Sequence, residues 1–482
     1  MDRKIILNYI YNILYQLIKF GLSFILVPYT MGHLGEELLG VSDYANSIAS
    51  WFFYIGVLGL NIYGNREIAK VRDNKDQLSK SFFELLSMQF IDMAIVLVLY
   101  ILYTHFFVTD YRLIYFLICM TLLSYMFDIS WFYAGVENFG IVTARNAAVK
   151  LIGVILIFTF VKGPEDLWKF VAINSGTDLF GQMMTFFGLK KYIHKVKYSI
   201  VEAYKNHLKG TFLLFVPLMA INLYSYLDQT LLGMLVEDKG EVSLYKVSQN
   251  FLNMFLFFVT SIGSVVMPRI ANVYANNSDK EEVNNYLNST FKLAIILSVP
   301  MVTALIFVSN HFFPWYLPGQ YKRVIPLVQV SSITMMLVAM SNVFGMQYLV
   351  PTERNTKYTI SVIVGAVVNL LVDLYTIPRW AGIGACIGRI VAELTVALVQ
   401  WLFVRKEIHI HALSTFVKSL ACSLIMGTLV YCLGNLLGST LLTNLAQAIV
   451  GVLVYGGLLL LLKEPTVIGL YNKYVLKKET ND

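Results

Sequence analysis

Charge is what this chain has least of. Asp, Glu, Lys and Arg supply 14% of its 482 residues, while 57% are apolar or aromatic. An ordinary soluble domain carries about 25% charged residues, so a chain of this balance has too little polar surface to cover itself in water. Cysteine is scarce as well. Cys119, Cys386, Cys422 and Cys432 fall inside apolar stretches without paired ligand spacing, which excludes a disulfide framework and a metal nest and leaves them as packing or lipid-facing residues. The seven histidines are scattered. No Ser/His/Asp set, metal-binding His pair, phosphate loop or paired acidic motif is visible, so no catalytic or metal-binding residue is assigned. Secreted disulfide scaffolds, disordered tails and ordinary cytosolic enzymes are all excluded.

What the chain has instead is long apolar runs. Leu441 to Leu462 carries no charge at all, mean hydropathy is +0.64, and about 20 such residues make one bilayer crossing. Breaks at charged or Pro/Gly-rich clusters predict fourteen crossings: 5–30, 41–64, 82–107, 113–135, 141–161, 167–189, 211–236, 242–267, 291–313, 324–350, 358–377, 383–404, 414–437 and 441–462. The expected fold class is an all-α integral membrane protein. The first crossing, with Asn8, Asn12, Gln16 and Lys19 and no small-residue cleavage site, is too long and too polar for a signal peptide and is expected to remain.

Orientation follows from Lys and Arg, which accumulate in short cytoplasmic loops. With the N-terminus inside, the inner segments hold 27 of the 37 basic residues and the outer segments eight, leaving Lys19 and Arg389 within crossings. That bias predicts cytoplasmic termini at both ends. The net charge of +7 is then a topology signal and a match to anionic lipid, not the footprint of a nucleic-acid partner.

An internal echo divides the crossings. Val41-Ser42-Asp43-Tyr44 leads through an apolar run to Arg66-Glu67-Ile68-Ala69, and Val242-Ser243-Leu244-Tyr245 leads through another to Arg269-Ile270-Ala271. The offsets, Tyr44 to Tyr245 and Arg66 to Arg269, are 201 and 203 residues. Two matches at nearly one offset predict two pseudo-symmetric six-helix lobes, residues 1–189 and 210–404, joined by a basic linker at 190–209, with two additional crossings and a tail in 405–482. Six is even, so both lobes enter from the same side as parallel repeats, an architecture found in transporters.

Ionisable residues inside a crossing cost about 2.5 to 3.5 kcal/mol even on a lenient scale and normally face a cavity or a partner. Lys19, Asp92, Asp128, Asp178, Asp228, Asp373, Arg389 and Glu393 qualify. Lys19 stands halfway along its crossing with no acidic residue one turn away, whereas Arg389 and Glu393 are spaced to pair on one helical face. Asp228-Gln229, with Asn222, Tyr224 and Tyr226, puts more polar side chains into the seventh crossing than packing requires. The 32 Phe and 30 Tyr read as lipid contacts and interfacial belts. The Gly384 to Gly388 spacing allows close helix approach. Asn276-Asn277-Ser278 and Asn288-Ser289-Thr290 match the glycosylation pattern only in a loop expected to be cytoplasmic.

Several strings resemble those of the Wzx-type polysaccharide repeat-unit flippases of the multidrug/oligosaccharidyl-lipid/polysaccharide exporter superfamily. They are Pro28-Tyr29 with Leu34-Gly35-Glu36; Gly59-Leu60-Asn61-Ile62-Tyr63-Gly64 with Arg66-Glu67-Ile68-Ala69; Asp128-Ile129-Ser130-Trp131-Phe132 with Gly135 and Glu137; and Arg145-Asn146 with Lys150. Leu227-Asp228 with Leu232-Gly233, Pro268-Arg269, Gln347-Tyr348-Leu349 with Pro351-Thr352, and Gly382-Ile383-Gly384-Ala385 with Glu393 continue the likeness to about residue 400. Three positions depart from the family pattern. Gly32 stands where a basic residue is frequent, Gln229 where a lysine follows the aspartate, and Arg389 where a small or hydroxyl residue is usual. The departures redistribute basic charge and point to a different glycan.

The resemblance implies two lobes facing a cavity that opens alternately to either side. It implies export of undecaprenyl-diphosphate-linked oligosaccharide from the cytoplasmic to the outer leaflet of the bacterial plasma membrane, for cell-surface polysaccharide. Lys19, Asp228, Gln229, Arg389 and Glu393 are the cavity candidates. Arg66, Asp128, Glu137, Arg145, Lys150 and Arg269 are candidates for an inner gate or diphosphate dock. No cofactor is expected; the driving force is a proton gradient, a sodium gradient or the membrane potential. The partners expected are the lipid-linked oligosaccharide, membrane lipids and other polysaccharide-assembly membrane proteins. Export of a drug or of a lipid-linked peptidoglycan precursor is the alternative in the same superfamily. A membrane polymerase or acyltransferase is the alternative enzyme, disfavoured because no outer loop exceeds about a dozen residues.

Overall fold

The computed structural model describes residues 3–275 and 280–474. Side chains are described between residues 16 and 469, apart from 139, 216–218, 220–225, 262, 264–265 and 275–280. Asn8, Asn12, Asn222, Tyr224, Asn276-Asn277-Ser278 and the basic tail residues beyond 469 therefore lie outside the described side chains. Among the described residues there is no strand. The chain forms two compact units, Met1–Ser243 and Leu244–Asp482.

Unit 1 holds α1 (Arg3–Val57), α2 (Leu60–Val71), α3 (Lys75–Phe107), α4 (Arg112–Met126), α5 (Ser130–Gly135), α6 (Phe139–Phe160), α7 (Leu167–Met184) and α8 (Ile200–Leu235). The helix α9 (Gly240–Ala275) begins at its end, and unit 2 continues with α10 (Lys280–Tyr316), α11 (Tyr321–Phe344), α12 (Asn355–Val404), α13 (Leu413–Leu437), α14 (Leu441–Leu461) and α15 (Pro465–Tyr474). Ten helical segments among the described residues are long and apolar enough to cross a membrane. Two of them, Gln16–Val71 and Asn355–Val404, are more than twice the roughly 20 residues that one crossing needs. Each breaks at a residue in an unusual conformation: Gly35 (φ +81°, ψ 165°) in α1 and Ala381 (φ +46°, ψ −125°) in α12. Gly35 lacks the Cβ that makes positive φ costly, so the turn there is written into the sequence. The predicted stretches 167–189 and 211–236 fall on α7 and α8, which are helical but not among those ten.

In unit 1, α4 packs on α7, α6 on α1 and α7, and α8 on α1, α2 and α3. The seventh crossing, read from the sequence as the start of the second lobe, thus packs inside the first unit. Glycine permits that contact: Gly59 (φ +76°) brings its backbone to α8, where a Cβ would stand 2.9 Å from the amide nitrogen of Phe215, and the ring of Tyr63 lies flush on Gly210. In hydrocarbon the hydrophobic effect gives helices no reason to associate, so close packing of this kind supplies the attraction.

In unit 2, α10 packs on α11 and α13, α11 on α12, and α13 on α14, around a core that includes Leu287, Phe291, Val343, Phe344, Leu349 and Val404. The two halves of α12 meet at Gly384, whose carbonyl accepts the Thr376 hydroxyl at 2.9 Å. Gly388 lies against the Asp373 carboxylate, so the Gly384/Gly388 spacing serves both helix approach and the seating of a buried acid. Both units also hold a histidine-bearing segment on a helix start by the same device. Ser79 of α3 accepts from the backbone N–H of His194 at 3.1 Å, while Asn284 and Asn288 of α10 accept from those of His409 and His411 at 3.0 and 2.8 Å. Asn288 is thereby engaged within unit 2.

Candidate functional site

Unit 1 contains Lys19, Asp228 and Gln229; unit 2 contains Arg389 and Glu393. Lys19 is an exposed residue of α1 and stands within electrostatic range of Lys150 on α6. Asp178 on α7 is in turn within range of Lys150 and Arg145. Three cations and one carboxylate from α1, α6 and α7 therefore share one region of the unit. Asp228 is fully buried in α8, with Gln229 half-buried beside it. Thr230, the next residue of α8, is hydrogen-bonded to α1: the Trp51 indole N–H donates to its hydroxyl at 3.0 Å, and that hydroxyl donates to Ser47 at 3.0 Å.

In unit 2, Arg389 Nε lies 3.6 Å from Glu393 Oε1 in the i, i+4 relation, the pairing expected from their spacing. Glu393 is buried and Arg389 mostly so. Asp373, fully buried, accepts from Asn369 at 3.0 Å.

The gate candidates divide. Asp128 accepts from the backbone N–H of Ser130 at 2.9 Å and from its hydroxyl at 2.5 Å, capping the α4–α5 turn. Arg145 reaches that Ser130 hydroxyl at 3.4 Å and donates to Gln182 of α7 at 2.6 Å. Asp128, Arg145 and, through Asp178, Lys150 thus belong to one polar network. Arg66 is exposed and is not ion-paired with Asp128. Glu137, at positive φ, instead pairs with Arg72 at 2.5 Å, and that hydrogen bond raises the Arg72 pKa. Arg269 is an exposed residue of α9.

Gln89 was missed by sequence reading. Its amide N–H₂ donates to the carbonyls of Tyr125 and Asp128 at 2.7 and 2.9 Å, and its carbonyl accepts the Trp131 indole N–H at 2.9 Å. It satisfies the orphan carbonyls where α4 ends. Its sequence signal was a glutamine within the third crossing. The buried pair His207 and Glu84, 3.1 Å apart, was also missed, because the residues lie 123 positions apart.

Two apolar grooves flank these groups. One, of about 340 Å³, runs between α6 and α7 past Val149, Leu156, Ile173 and Phe180. The other, of about 520 Å³, lies in unit 2 among Phe291, Met340, Leu398, Trp401 and Phe416.

A multi-pass helical membrane protein with charges embedded in its long helices and apolar grooves beside them has the parts of a transporter of amphipathic molecules. The chain belongs to the Wzx-type flippases of the multidrug/oligosaccharidyl-lipid/polysaccharide exporter superfamily: the family model for polysaccharide biosynthesis protein matches residues 5–274, and that for Lipid II flippase MurJ matches residues 148–455. It is similar to the putative O-antigen transporter of Escherichia coli (strain K12), with 22% identity over 82% of this chain and 96% of that one. The putative O-antigen transporter of Shigella dysenteriae is 23% identical over 78% and 93%. Its fold is similar to that of Lipid II flippase MurJ in an inward closed conformation, with a TM-score of 0.77 at 16% identity over 98% of this chain and all of that one. A multidrug resistance MATE family transporter of the same superfamily gives a TM-score of 0.56 at 12% identity, over 80% of this chain and 97% of that one.

Proposed function

We propose that this protein moves polyprenyl-diphosphate-linked oligosaccharide from the cytoplasmic to the outer leaflet of a bacterial plasma membrane, by alternating access, for cell-surface polysaccharide. The observation that carries this reading is the group of charges in unit 1, in which the cations Lys19, Lys150 and Arg145 outnumber the carboxylates Asp128 and Asp178. Such an excess of positive charge suits a diphosphate, and the apolar grooves suit a polyprenyl tail that never leaves hydrocarbon. Fourteen crossings with both termini cytoplasmic, built as two duplicated lobes, complete the reading. At 100 mV, inside negative, each negative charge moved outward gains about 2.3 kcal/mol. The field therefore favours export, and a proton or sodium gradient can add to it. Asp228 or Glu393 is the carboxylate to which we assign such an ion.

A second reading, export of a lipid-linked peptidoglycan precursor, is favoured by the MurJ family match over residues 148–455. Both substrates share the polyprenyl diphosphate and differ in the sugar. Deleting the gene separates them: a surface-glycan repeat unit that accumulates on its carrier supports the first reading, and an accumulated peptidoglycan precursor supports the second. Accumulation of neither overturns both.

A further inference from the structure

His207 and Glu84 are the buried acid–base pair of unit 1, with side chains 6% and 4% exposed. His207 belongs to the inward stripe Ala203, His207, Thr211 of α8, all three buried. Its Nε2 lies 3.1 Å from Glu84 Oε2 on α3, and its Nδ1 lies 3.0 Å from the Tyr63 hydroxyl on α2. One imidazole therefore joins three helices.

Its hydrogen bonds survive a change of charge. A neutral ring donates from Nε2 to the carboxylate and accepts the Tyr63 proton at Nδ1. An imidazolium donates from both nitrogens, and the Tyr63 oxygen, which can accept as well as donate, turns to receive Nδ1–H. The other carboxylate oxygen, Glu84 Oε1, is buried and receives no hydrogen bond. The Lys80 ammonium stands 3.7 Å from it and reaches Glu202 of α8 at 3.8 Å. Lys80 and Glu202 are exposed, so this chain of charged groups leads from the pair to water.

The other titratable and charged groups around the pair are Arg66 and Glu67, which act on Tyr63 from α2; Asp92, which accepts the Tyr204 hydroxyl of α8 at 2.6 Å; and Asp76, paired with His194 at 2.8 Å. Near the pair they leave one ammonium between two carboxylates, which favours holding an additional proton. Because α8 packs closely on this part of the chain, backbone to backbone at Gly59 and with the Tyr63 ring against Gly210, a change in the strength of the His207 contacts acts directly on helix packing.

We propose that His207 and Glu84 form a proton-binding site whose occupancy sets how firmly α8 is held on α2 and α3. With the proton bound, His207 and Glu84 are an ion pair with charge-assisted hydrogen bonds and α8 is held tightly; with it released, the neutral ring holds α8 less tightly. On the transport reading above, this gives the protein a place at which a proton gradient acts on a moving helix.

The test needs no substrate, so its failure leaves the transport reading standing. Full-length protein in nanodiscs is labelled with ¹⁵N-histidine, and the His207 ring signal is the one absent from His207→Gln. Hydrogen–deuterium exchange of α8 amides, corrected for the intrinsic pH dependence of exchange, is followed across about pH 5 to 8, the range in which histidine ordinarily titrates. The expected result is that α8 is better protected at the acid end of that range, with the difference lost in both His207→Gln and Glu84→Gln. A His207 ring fixed in one protonation state throughout, or a difference that persists in both variants, overturns the proposal. Tyr63→Phe removes one partner without touching the pair; it is expected to shift the midpoint, which covers the case in which a charge variant does not fold.

Discussion

The guanidinium of Arg354 grips both carboxylate oxygens of Glu407, each at 2.7 Å, and Glu407 also accepts the Tyr348 hydroxyl at 2.8 Å. This fork ties the turn before α12 to the segment that follows it. Hydrogen bonding to Arg354 is the main cause holding the Glu407 carboxyl below its ordinary 4.5; partial burial opposes it and Tyr348 assists. A lowered folded-state value means that the pair stabilises the fold above the unfolded-state value and loses that contribution as pH falls through the lower folded one. Thermal unfolding should therefore separate wild type from Glu407→Gln at neutral pH, with the gap closing as pH falls below the ordinary carboxyl value of 4.5.

Gly59 combines positive φ with backbone contact to α8. Gly59→Ala is expected to destabilise the protein by about 1–3 kcal/mol, whereas Gly32→Ala, in a helical stretch with open space around it, should be neutral or stabilising. Tm of the two purified variants checks this; equal values would remove the packing role given to Gly59.

Replacing Gln89 with Leu leaves the Trp131 indole and the α4 carbonyls without their partners. A loss of about 2–4 kcal/mol is expected, since each buried polar group left unsatisfied costs about 1–3 kcal/mol. A chemical-denaturation midpoint unchanged from wild type would contradict it.

The resemblance strings mark places where the helices change direction: Gly35 and Gly59 at positive φ, Asp128 and Ser130 at the α4–α5 turn, Gln347-Tyr348-Leu349 in a π-helical turn, and Gly382 just after the break at Ala381. Those were legible because a bend requires particular residues at adjacent positions, and apolar runs of crossing length were legible for the same local reason. The Arg389–Glu393 pair was legible from helical spacing alone. What was not legible depends on contacts between distant segments. Nothing in the spacing of Glu84 and His207 announces that α8 turns its inward stripe onto α3, and Arg72, not Arg66, meets Glu137 because the α2–α3 turn places it there.

Lys19 should matter through its charge. Lys19→Ala is expected to lower flipping by about tenfold or more, equivalent to roughly 1.4 kcal/mol, at normal protein levels. Lys19→Arg, which keeps the charge and changes its shape, should retain a measurable part. Near-normal flipping by Lys19→Ala would leave the residue structural.

Transbilayer movement in proteoliposomes tests the central claim most directly. The purified full-length protein is reconstituted with sugar-labelled polyprenyl-diphosphate oligosaccharide extracted from cells lacking the gene, and exposure of the sugar to a membrane-impermeant oxidant is followed in time. Label initially protected in the inner leaflet is expected to become oxidised faster than in protein-free liposomes, and an outward-directed electrical driving force on the diphosphate is expected to speed the change. Movement no faster than in protein-free liposomes, from protein shown to be folded, would contradict the claim.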